Sequence, residues 1–493
     1  MLDKRIVAGL FVVGAVTTLL ILPGGQRPVS DSPARLGVAH WLWTGEAPLQ
    51  GLATTAPLVL HDRDGNVTPW FGIGQSLVLL PADIAVSAMG LSDPRSRFIA
   101  VQYLVFPIIN GLVVASAALL LTAIGTGAAV AVAGAVSLTF GSTLLWHFQN
   151  NQENPLQFLL LLWALISVFR WQATERSGWL LLAGACLGFT LLIRLPNLVD
   201  VLIVSAVPLA GHRRVEYTRT WMRTVAPMLA AALAVDRLYH FARFSRWDST
   251  YMHMSGEVAR NLDLALPEGF PFSSPFLTGF LGPFVSLQKS IVLFDPLTLV
   301  TIVCLLLAWR STTPGIRRLA LASAAGVVLT AAGYARFHNW GGSPAWGDRF
   351  VTNWVWMACL LAAPLVLQLR LKRMTVLAIA VAVVSLQLLS LVFPAWLEQT
   401  QIAAGSKTAI TQFMNRDDSF GHFVIGLRVQ NVLAPEGLAP MLLPLNPLSS
   451  LPTPVALVVR LSWLAGVLLL AWLARHLVRM ARTPAHADRP ALA

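Results

Sequence analysis

The chain has 493 residues, of which 56% are hydrophobic and only 12% are charged, and its net charge at pH 7 is +12. Soluble domains carry about 25% charged residues, because their surfaces must interact with water. This composition therefore excludes a cytosolic enzyme, a nucleic-acid-binding protein, a disulfide scaffold and a disordered chain. The three cysteines lie in apolar runs without metal-ligand spacing, so neither disulfides nor a zinc site is indicated. We predict an all-α polytopic membrane protein.

Apolar runs of roughly 17–25 residues are typical of membrane-spanning helices, and we predict about twelve of them. In chain order they are residues 6–22, 98–122, 127–146, 155–170, 178–193, 196–211, 222–240, 291–309, 316–336, 350–369, 374–395 and 453–478. The stretch 74–90 is also apolar but contains Pro81 and Asp83, and we predict a helix in the membrane interface. No small-residue cleavage site follows the first span, so we expect a retained helix rather than a signal peptide.

Arginine and lysine concentrate in the cytoplasmic loops of membrane proteins. Here one set of connections is short and basic and contains few acids, whereas the other set includes the long loops 23–97, 241–290 and 396–452. This pattern predicts that both termini are cytoplasmic and that the long loops are extracytoplasmic. We expect an integral protein of a bacterial inner membrane, with its chemistry on the outer face.

Two polar clusters lie in the first predicted outer loop. Asp31, followed by Arg35 and His40, could be a general base held at the membrane surface or simply the cap of a helix. Asp64 lies in Asp64-Gly65-Asn66, which is typical of an ordinary turn. For Asp31 and for Asp64, a role in catalysis or binding and a purely structural role both stay open.

Further polar residues recur near the predicted outer membrane edge. Glu153, in the polar connection 147–155, could be solvated or could be fixed at the start of a helix. Arg194, Lys289 and Arg349 could be interfacial side chains that snorkel to water, or they could bind phosphate oxygens. Outer carboxylates and outer basic groups on a hydrophobic bundle suit a lipid that carries a phosphate.

The segments that carry these residues resemble, in order, motifs of the GT-C superfamily of integral-membrane glycosyltransferases. This superfamily includes protein O-mannosyltransferases and lipid A aminoarabinose transferases. The matching segments are Asp31-Ser32-Pro33-Ala34-Arg35, Trp70 through Pro81, Glu153-Asn154-Pro155, Arg194-Leu195-Pro196-Asn197, Ser286 through Pro296, Trp340-Gly341-Gly342 and Trp346 through Phe350. Ser32 stands where a second acid is common in the family, and Asp348 stands where proline is usual.

The resemblance implies a GT-C-like fold and transfer of a sugar from a polyprenyl-phosphate donor to an acceptor hydroxyl at the extracytoplasmic face. It implies that Asp31 is the base and that Glu153 supports donor or acceptor geometry. Arg194, Lys289 and Arg349 would bind the donor phosphate. Further candidates for donor or acceptor binding are Arg35, Asp64, His338 and Trp340.

The same resemblance leaves open a divalent cation, Mg²⁺ or Mn²⁺, held by Asp31 and Glu153. The expected partners are the donor, the bilayer and a glycan, lipid or protein acceptor, with no nucleic acid. A single displacement would invert the anomeric centre. The expected units are a catalytic module at 1–395, an outer loop region at 396–452 and a final span with a cytoplasmic tail at 453–493.

Two alternatives remain at the level of sequence. A transporter or lipid flippase would need polar groups inside the spans, for which the candidates are Gln102, Asn110, Asp200 and Asp236. The second alternative is another outer-face transferase, such as an acyltransferase or an O-antigen ligase or polymerase. An acyltransferase would need a histidine inside a span as its base, whereas His147, His240 and His338 lie at span ends. The loop 396–452 could cap an acceptor site, and it contains the unplaced polar residues Asp417, Asp418 and His422.

Overall fold

Most of the apolar runs form α-helices in the computed structural model of the protein. The structure describes residues 2–22, 31–48, 59–69, 71–149, 152–210, 214–247, 269–342, 345–394, 396–404, 423–435, 438, 440 and 452–482. Within these residues the sheet content is one antiparallel hairpin, formed by β1 (Val59–His61) and β2 (Val67–Pro69). Helices satisfy their own backbone hydrogen bonds, which a lipid environment requires.

The first half of the described chain contains ten helices. They are α1 (Lys4–Ile21), α2 (Asp31–Thr44), α3 (Gly74–Ala88), α4 (Pro94–Ala123), α5 (Ala128–Gly141), α6 (Leu144–Phe148), α7 (Asn154–Thr174), α8 (Ser177–Ile193), α9 (Leu198–Ala206) and α10 (Arg214–Phe244).

The second half contains ten more described helices, most of them shorter. They are α11 (Phe276–Val285), α12 (Ile291–Phe294), α13 (Leu297–Ala308), α14 (Pro314–Tyr334), α15 (Thr352–Leu360), α16 (Ala362–Gln368), α17 (Arg373–Val392), α18 (Trp396–Ala403), α19 (Val424–Leu433) and α20 (Thr453–Arg482).

Six described helices are long and apolar enough to cross a membrane, namely α1, α4, α7, α14, α17 and α20. They coincide with six of the predicted spans. The other predicted spans coincide with helices that are shorter, or with α10, which is long but carries charged residues along its length. The predicted interfacial segment 74–90 is the helix α3.

Small residues let the first helices pack closely. A side chain at Gly14 on α1 would overlap the backbone of α4 at Asn110, and one at Gly111 would meet the backbone of Phe11. Close approach through glycine is typical of membrane helix pairs. Asn110 also donates a hydrogen bond of 2.9 Å to the hydroxyl of Thr18. These contacts fix α1 against α4.

The helix ends that matter for function meet at one place in the bundle. The starts of α2 and α7 and the end of α8 meet the segment 345–351, which precedes α15, and the start of α3 contacts Arg35 on α2. The connection 286–290 between α11 and α12 joins them through hydrogen bonds to that segment. Segments more than 300 residues apart in the chain therefore contribute to one cluster.

Candidate active site

Glu153 is a buried carboxylate held between two arginines. It occupies the N-cap position of α7, but its side chain makes no capping hydrogen bond. Instead one oxygen lies 3.0 Å from Nη1 of Arg35 and the other lies 2.8 Å from Nε of Arg194. All three side chains are less than a tenth exposed. The predicted connection 147–155 is thus not a solvated loop at this position.

The surrounding cations decide the protonation state of Glu153. Burial raises the pKa of this carboxyl, but Arg194, Arg35 and Arg349 outweigh the effect of burial and hold the pKa below its usual range. A carboxylate that is so strongly stabilised is a poor proton acceptor. Its contacts hold two guanidinium groups in place.

Arg35 is fixed by groups from the next segment of the chain. It donates a hydrogen bond to Oε1 of Gln75, and its guanidinium lies 4.7 Å from the ring centre of Phe71. The hydroxyl of Ser76 donates to the backbone carbonyl of Arg35 at 2.8 Å. These contacts give the motif that begins at Trp70 a physical role, although Trp70 itself lies outside the described residues.

Asp31 lies beside Arg349. It is the first residue of α2, and its Oδ2 is 3.3 Å from Nη1 of Arg349. The ring of Phe350 lies within 5.4 Å of the Arg349 guanidinium and within 5.2 Å of the Arg194 guanidinium. One aromatic ring therefore links the Asp31 ion pair to the arginine that holds Glu153.

Lys289 ties a second segment to this cluster. Its ammonium group donates to the carbonyls of Ala345 (2.9 Å) and Gly347 (3.1 Å), which lie just before Arg349 in the segment 345–351. Gly342 has φ +62°, and a side chain there would overlap the stem of Arg349. Glycine is required at this position both for the backbone conformation and for the space it leaves.

Burial shifts the pKa values of two neighbouring groups, Lys289 and Asp348, toward neutrality. It lowers the pKa of Lys289 to about 8, although the nearby Asp348 carboxylate opposes the shift. Burial also raises the pKa of Asp348 to about 6, against a hydrogen bond from the backbone N–H of Phe350.

The structure adds two residues to which the sequence assigned no role. His147 on α6 is fully buried, and neither ring nitrogen has a hydrogen-bond partner among the described residues. Burial, reinforced by Arg349, lowers the pKa of His147 to about 3, so the imidazole is neutral. The amide of Gln152 is likewise buried and unpaired within the described chain. In the sequence, the concentration of polar residues at 147–155 was the feature that could have identified both residues.

Three predicted site residues lie elsewhere. Asp64 is exposed in the turn of the β1–β2 hairpin. The ring centres of His338 and Phe270 are 4.5 Å apart. The ring of Trp340 packs against Gly282 so closely that a side chain there would overlap it. Among the described residues, no contact joins these three side chains to either buried carboxylate.

Three of the four polar residues considered for a transporter have partners within the protein. Asp200 accepts a hydrogen bond of 2.7 Å from the indole of Trp354, and Asp236 pairs with Arg237 at 2.5 Å. Asn110 donates to Thr18, as described above. These residues thus have structural partners, which weakens the transporter alternative. Asp417, Asp418 and His422 lie outside the described residues.

The residues present do not fit a divalent cation. In the described part of the chain, no group of three or more His, Cys, Asp or Glu side chains could hold a metal ion. Mg²⁺ and Mn²⁺ prefer carboxylate and other oxygen ligands. Asp31 and Glu153 instead face arginines, whose positive charge opposes a second cation. The basic side chains around them favour an anion instead.

Comparison with known proteins gives limited similarity. No family model and no curated protein matches the sequence. The crystal structure of the apo oligosaccharyltransferase from Archaeoglobus fulgidus is 14% identical with a TM-score of 0.45, and the match covers 80% of this chain and 55% of that chain. The oligosaccharyltransferase AglB from the same organism, in complex with an inhibitory peptide and a dolichol-phosphate, is 13% identical with a TM-score of 0.43.

That second match covers 87% of this chain and 54% of the other. The protein thus spans about half the length of the structures that it matches. At this level of similarity, its function has to follow from its own residues.

Proposed function

We propose that the protein is an integral-membrane glycosyltransferase that moves a sugar from a polyprenyl-phosphate donor to an acceptor hydroxyl. The observation that supports this most directly is the surplus of basic side chains around two buried carboxylates. Arg349 faces Asp31, and Arg35 and Arg194 face Glu153. All of them lie at the ends of apolar helices, where a lipid-linked phosphate could meet them.

The donor phosphate is the anion that this surplus suits. Arg349 and Arg194 present guanidinium groups, which match phosphate oxygens, and Lys289 supplies a point charge. The leaving group of the reaction is the lipid phosphate, whose charge increases as the bond to the sugar breaks. Fixed cations stabilise that charge without having to reorganise. The polyprenyl tail would lie among the apolar helices.

Asp31 is the proposed base. The acceptor hydroxyl gives its proton to Asp31 while its oxygen bonds to the anomeric carbon, and the bond from that carbon to the phosphate oxygen breaks. Because Asp31 lies 3.3 Å from Arg349, the acceptor and the leaving phosphate can lie side by side. Glu153 is held by arginines and cannot act as a second nucleophile, so this single displacement would invert the anomeric centre.

The same proposal includes the orientation of the protein. The short basic loops would face the cytoplasm together with both termini, and the cluster would face the extracytoplasmic side of a bacterial inner membrane. The acceptor would be a glycan, a lipid or a protein. Reagents that label Cys substitutions from one side of the membrane test this orientation independently of activity.

The decisive experiment compares donor binding with donor consumption. The purified full-length protein in nanodiscs is incubated with a radiolabelled polyprenyl-phosphate sugar and then with a membrane extract that contains acceptor. For Asp31→Asn we expect bound donor and a 10²- to 10⁴-fold slower consumption, as is typical for the loss of a general base. For Arg349→Ala we expect weak donor binding.

Asp64→Asn is the matched control, because it removes an exposed carboxylate from the same outer loop. We expect it to behave as the wild type. If the wild type neither binds nor consumes the donor, the proposal is wrong, and transport assays follow. The anomer of the product, determined by NMR, tests inversion, and retention of the donor's configuration would contradict it.

A further inference from the structure

A second polar cluster lies further along α2 than Asp31 and Arg35, also against α3. Asp83 on α3 is fully buried, and its carboxylate accepts hydrogen bonds from His40 (2.8 Å) and from the indole of Trp43 (2.8 Å). The guanidinium of Arg97 lies 3.3 Å from the other oxygen. None of these residues contributes to the proposed transferase site.

Two residues of this cluster, His40 and Arg97, line a cavity of about 270 Å³. The walls come from α2, from the segment that follows α2, and from the start of α4. The lining combines Glu46 and these two side chains with apolar residues such as Leu36 and Phe98.

Two glycines shape the cavity. Gly45 has φ +76° and turns the chain back at the end of α2. The returning chain then approaches α2 so closely that a side chain at Gly37 would overlap the carbonyl of Pro48. The cavity wall therefore depends on particular residues of the sequence.

The charged groups offer both a cationic and an anionic contact. Because the Asp83 carboxylate can only accept, His40 donates from Nδ1, and its Nε2 accepts from Nη1 of Arg97 at 3.1 Å. The Glu46 carboxylate lies 3.4 Å from the same Nε2 and is 63% exposed. A guanidinium has five N–H donors, so Arg97 keeps donors for an incoming anion.

Beside the cavity, α4 presents an apolar stripe. Leu104, Ile108 and Leu112 lie on the same helical face as Arg97, and each is at least 40% exposed. Leu112 is about 22 Å along the helix from Arg97. That distance exceeds the roughly 15 Å of hydrocarbon in one leaflet of a bilayer. A lipid with its headgroup at Arg97 could therefore lay an acyl chain along this stripe.

We propose that this cavity binds the headgroup of a bilayer phospholipid that carries both a phosphate and a primary ammonium group. Arg97 contacts the phosphate, Glu46 contacts the ammonium group, and the acyl chain follows the stripe on α4. Arg97 and Glu46 both lie within 3.4 Å of one imidazole nitrogen, so a headgroup with a short two-carbon link matches their spacing. This proposal does not depend on the proposed transferase function.

The test is lipid retention by the full-length protein, measured by native mass spectrometry. The protein in detergent is titrated with phosphatidylethanolamine and separately with phosphatidylglycerol, which has no ammonium group. We expect a preference of about tenfold for phosphatidylethanolamine, which is the effect of one charge-assisted hydrogen bond. Glu46→Gln should abolish the preference and leave binding of phosphatidylglycerol unchanged or stronger.

Arg95→Gln is the matched control, since Arg95 is exposed two residues from Arg97 and does not line the cavity. It should keep the wild-type preference. Equal binding of both lipids by the wild type, or an undiminished preference in Glu46→Gln, would overturn the proposal. Water-soluble glycerophosphoethanolamine is the third probe. If it binds as tightly as the lipid does, the occupant is a soluble molecule rather than a bilayer lipid.

Discussion

Two buried charge clusters along α2 differ in their balance of charge. Near the start of α2, Asp31, Glu153 and the buried Asp348 face a larger set of basic side chains, namely Arg35, Arg194, Lys289 and Arg349. Near its end, Asp83 is matched by Arg97, and Glu46 adds an exposed negative charge to the lining of the cavity.

In both clusters the fully buried carboxylate has an arginine partner, because an unpaired charge in an apolar interior is costly. Folding alone therefore requires this pairing, so the pairing does not indicate which ligand binds. The net charge that remains after pairing indicates the class of ligand. A positive surplus suits a lipid-linked phosphate, whereas an arginine near an exposed carboxylate suits a headgroup that carries both a negative and a positive charge.

The largest expected effect comes from removing a central carboxylate. Glu153→Gln leaves two buried guanidiniums, those of Arg35 and Arg194, without their counter-charge, and we expect a loss of about 3–5 kcal/mol in the free energy of unfolding. Asp83→Asn leaves only Arg97 and should cost less. Thermal unfolding in detergent compares the two variants. Asp64→Asn, at an exposed turn, should change stability by less than about 0.5 kcal/mol.

The next effect concerns Lys289 and depends on pH. Burial lowers the pKa of this lysine to about 8, so its positive charge is present below that pH and is lost as the pH rises through it. We expect the affinity for the donor to fall between pH 7 and pH 9. Lys289→Arg should keep its affinity over this range, because arginine stays protonated.

Lys289→Met should weaken donor binding at pH 7 by about 1.5–3 kcal/mol, which is the value of a charged hydrogen bond. Binding of the radiolabelled donor in nanodiscs across this pH range measures both effects. An affinity that is independent of pH in the wild type would show that Lys289 does not contact the phosphate.

Two glycine substitutions separate the clusters. Gly342→Ala places a side chain at φ +62° against the stem of Arg349, and we expect a cost of about 1–3 kcal/mol together with weaker donor binding. Gly37→Ala pushes the chain at Pro48 away from α2 and should alter the cavity instead. Both quantities are measured on both variants. We expect Gly342→Ala to change only donor binding and Gly37→Ala to change only lipid retention.

The sequence predicted the helical architecture because spanning helices need long apolar runs, and such runs are visible without a structure. It also predicted that the charged residues near the outer membrane edge need a partner or a function, since an isolated charge near the bilayer is costly. Asp31 with Arg349 and Glu153 with Arg194 are examples that the structure brings into contact.

The sequence could not predict which charges pair. Arg35 and Glu153 are more than 100 residues apart in the chain, and only the packing of α2 against the start of α7 brings them together. The same limit applies to Asp83, which the pattern places on an interfacial helix but which serves as the partner of His40 and Arg97. Hydrophobic periodicity does not predict which helix ends contact each other.

The smallest expected effect is that of metal removal. Asp31 and Glu153 each lie within 3.3 Å of an arginine nitrogen, so a divalent cation would have to displace these ion pairs before it could bind both carboxylates. We expect donor consumption to be unchanged, within error, after dialysis against EDTA and after addition of Mg²⁺ or Mn²⁺. If either metal restores an activity that EDTA removes, the arginines leave these carboxylates during the reaction, and phosphate binding by the basic side chains alone is insufficient for catalysis.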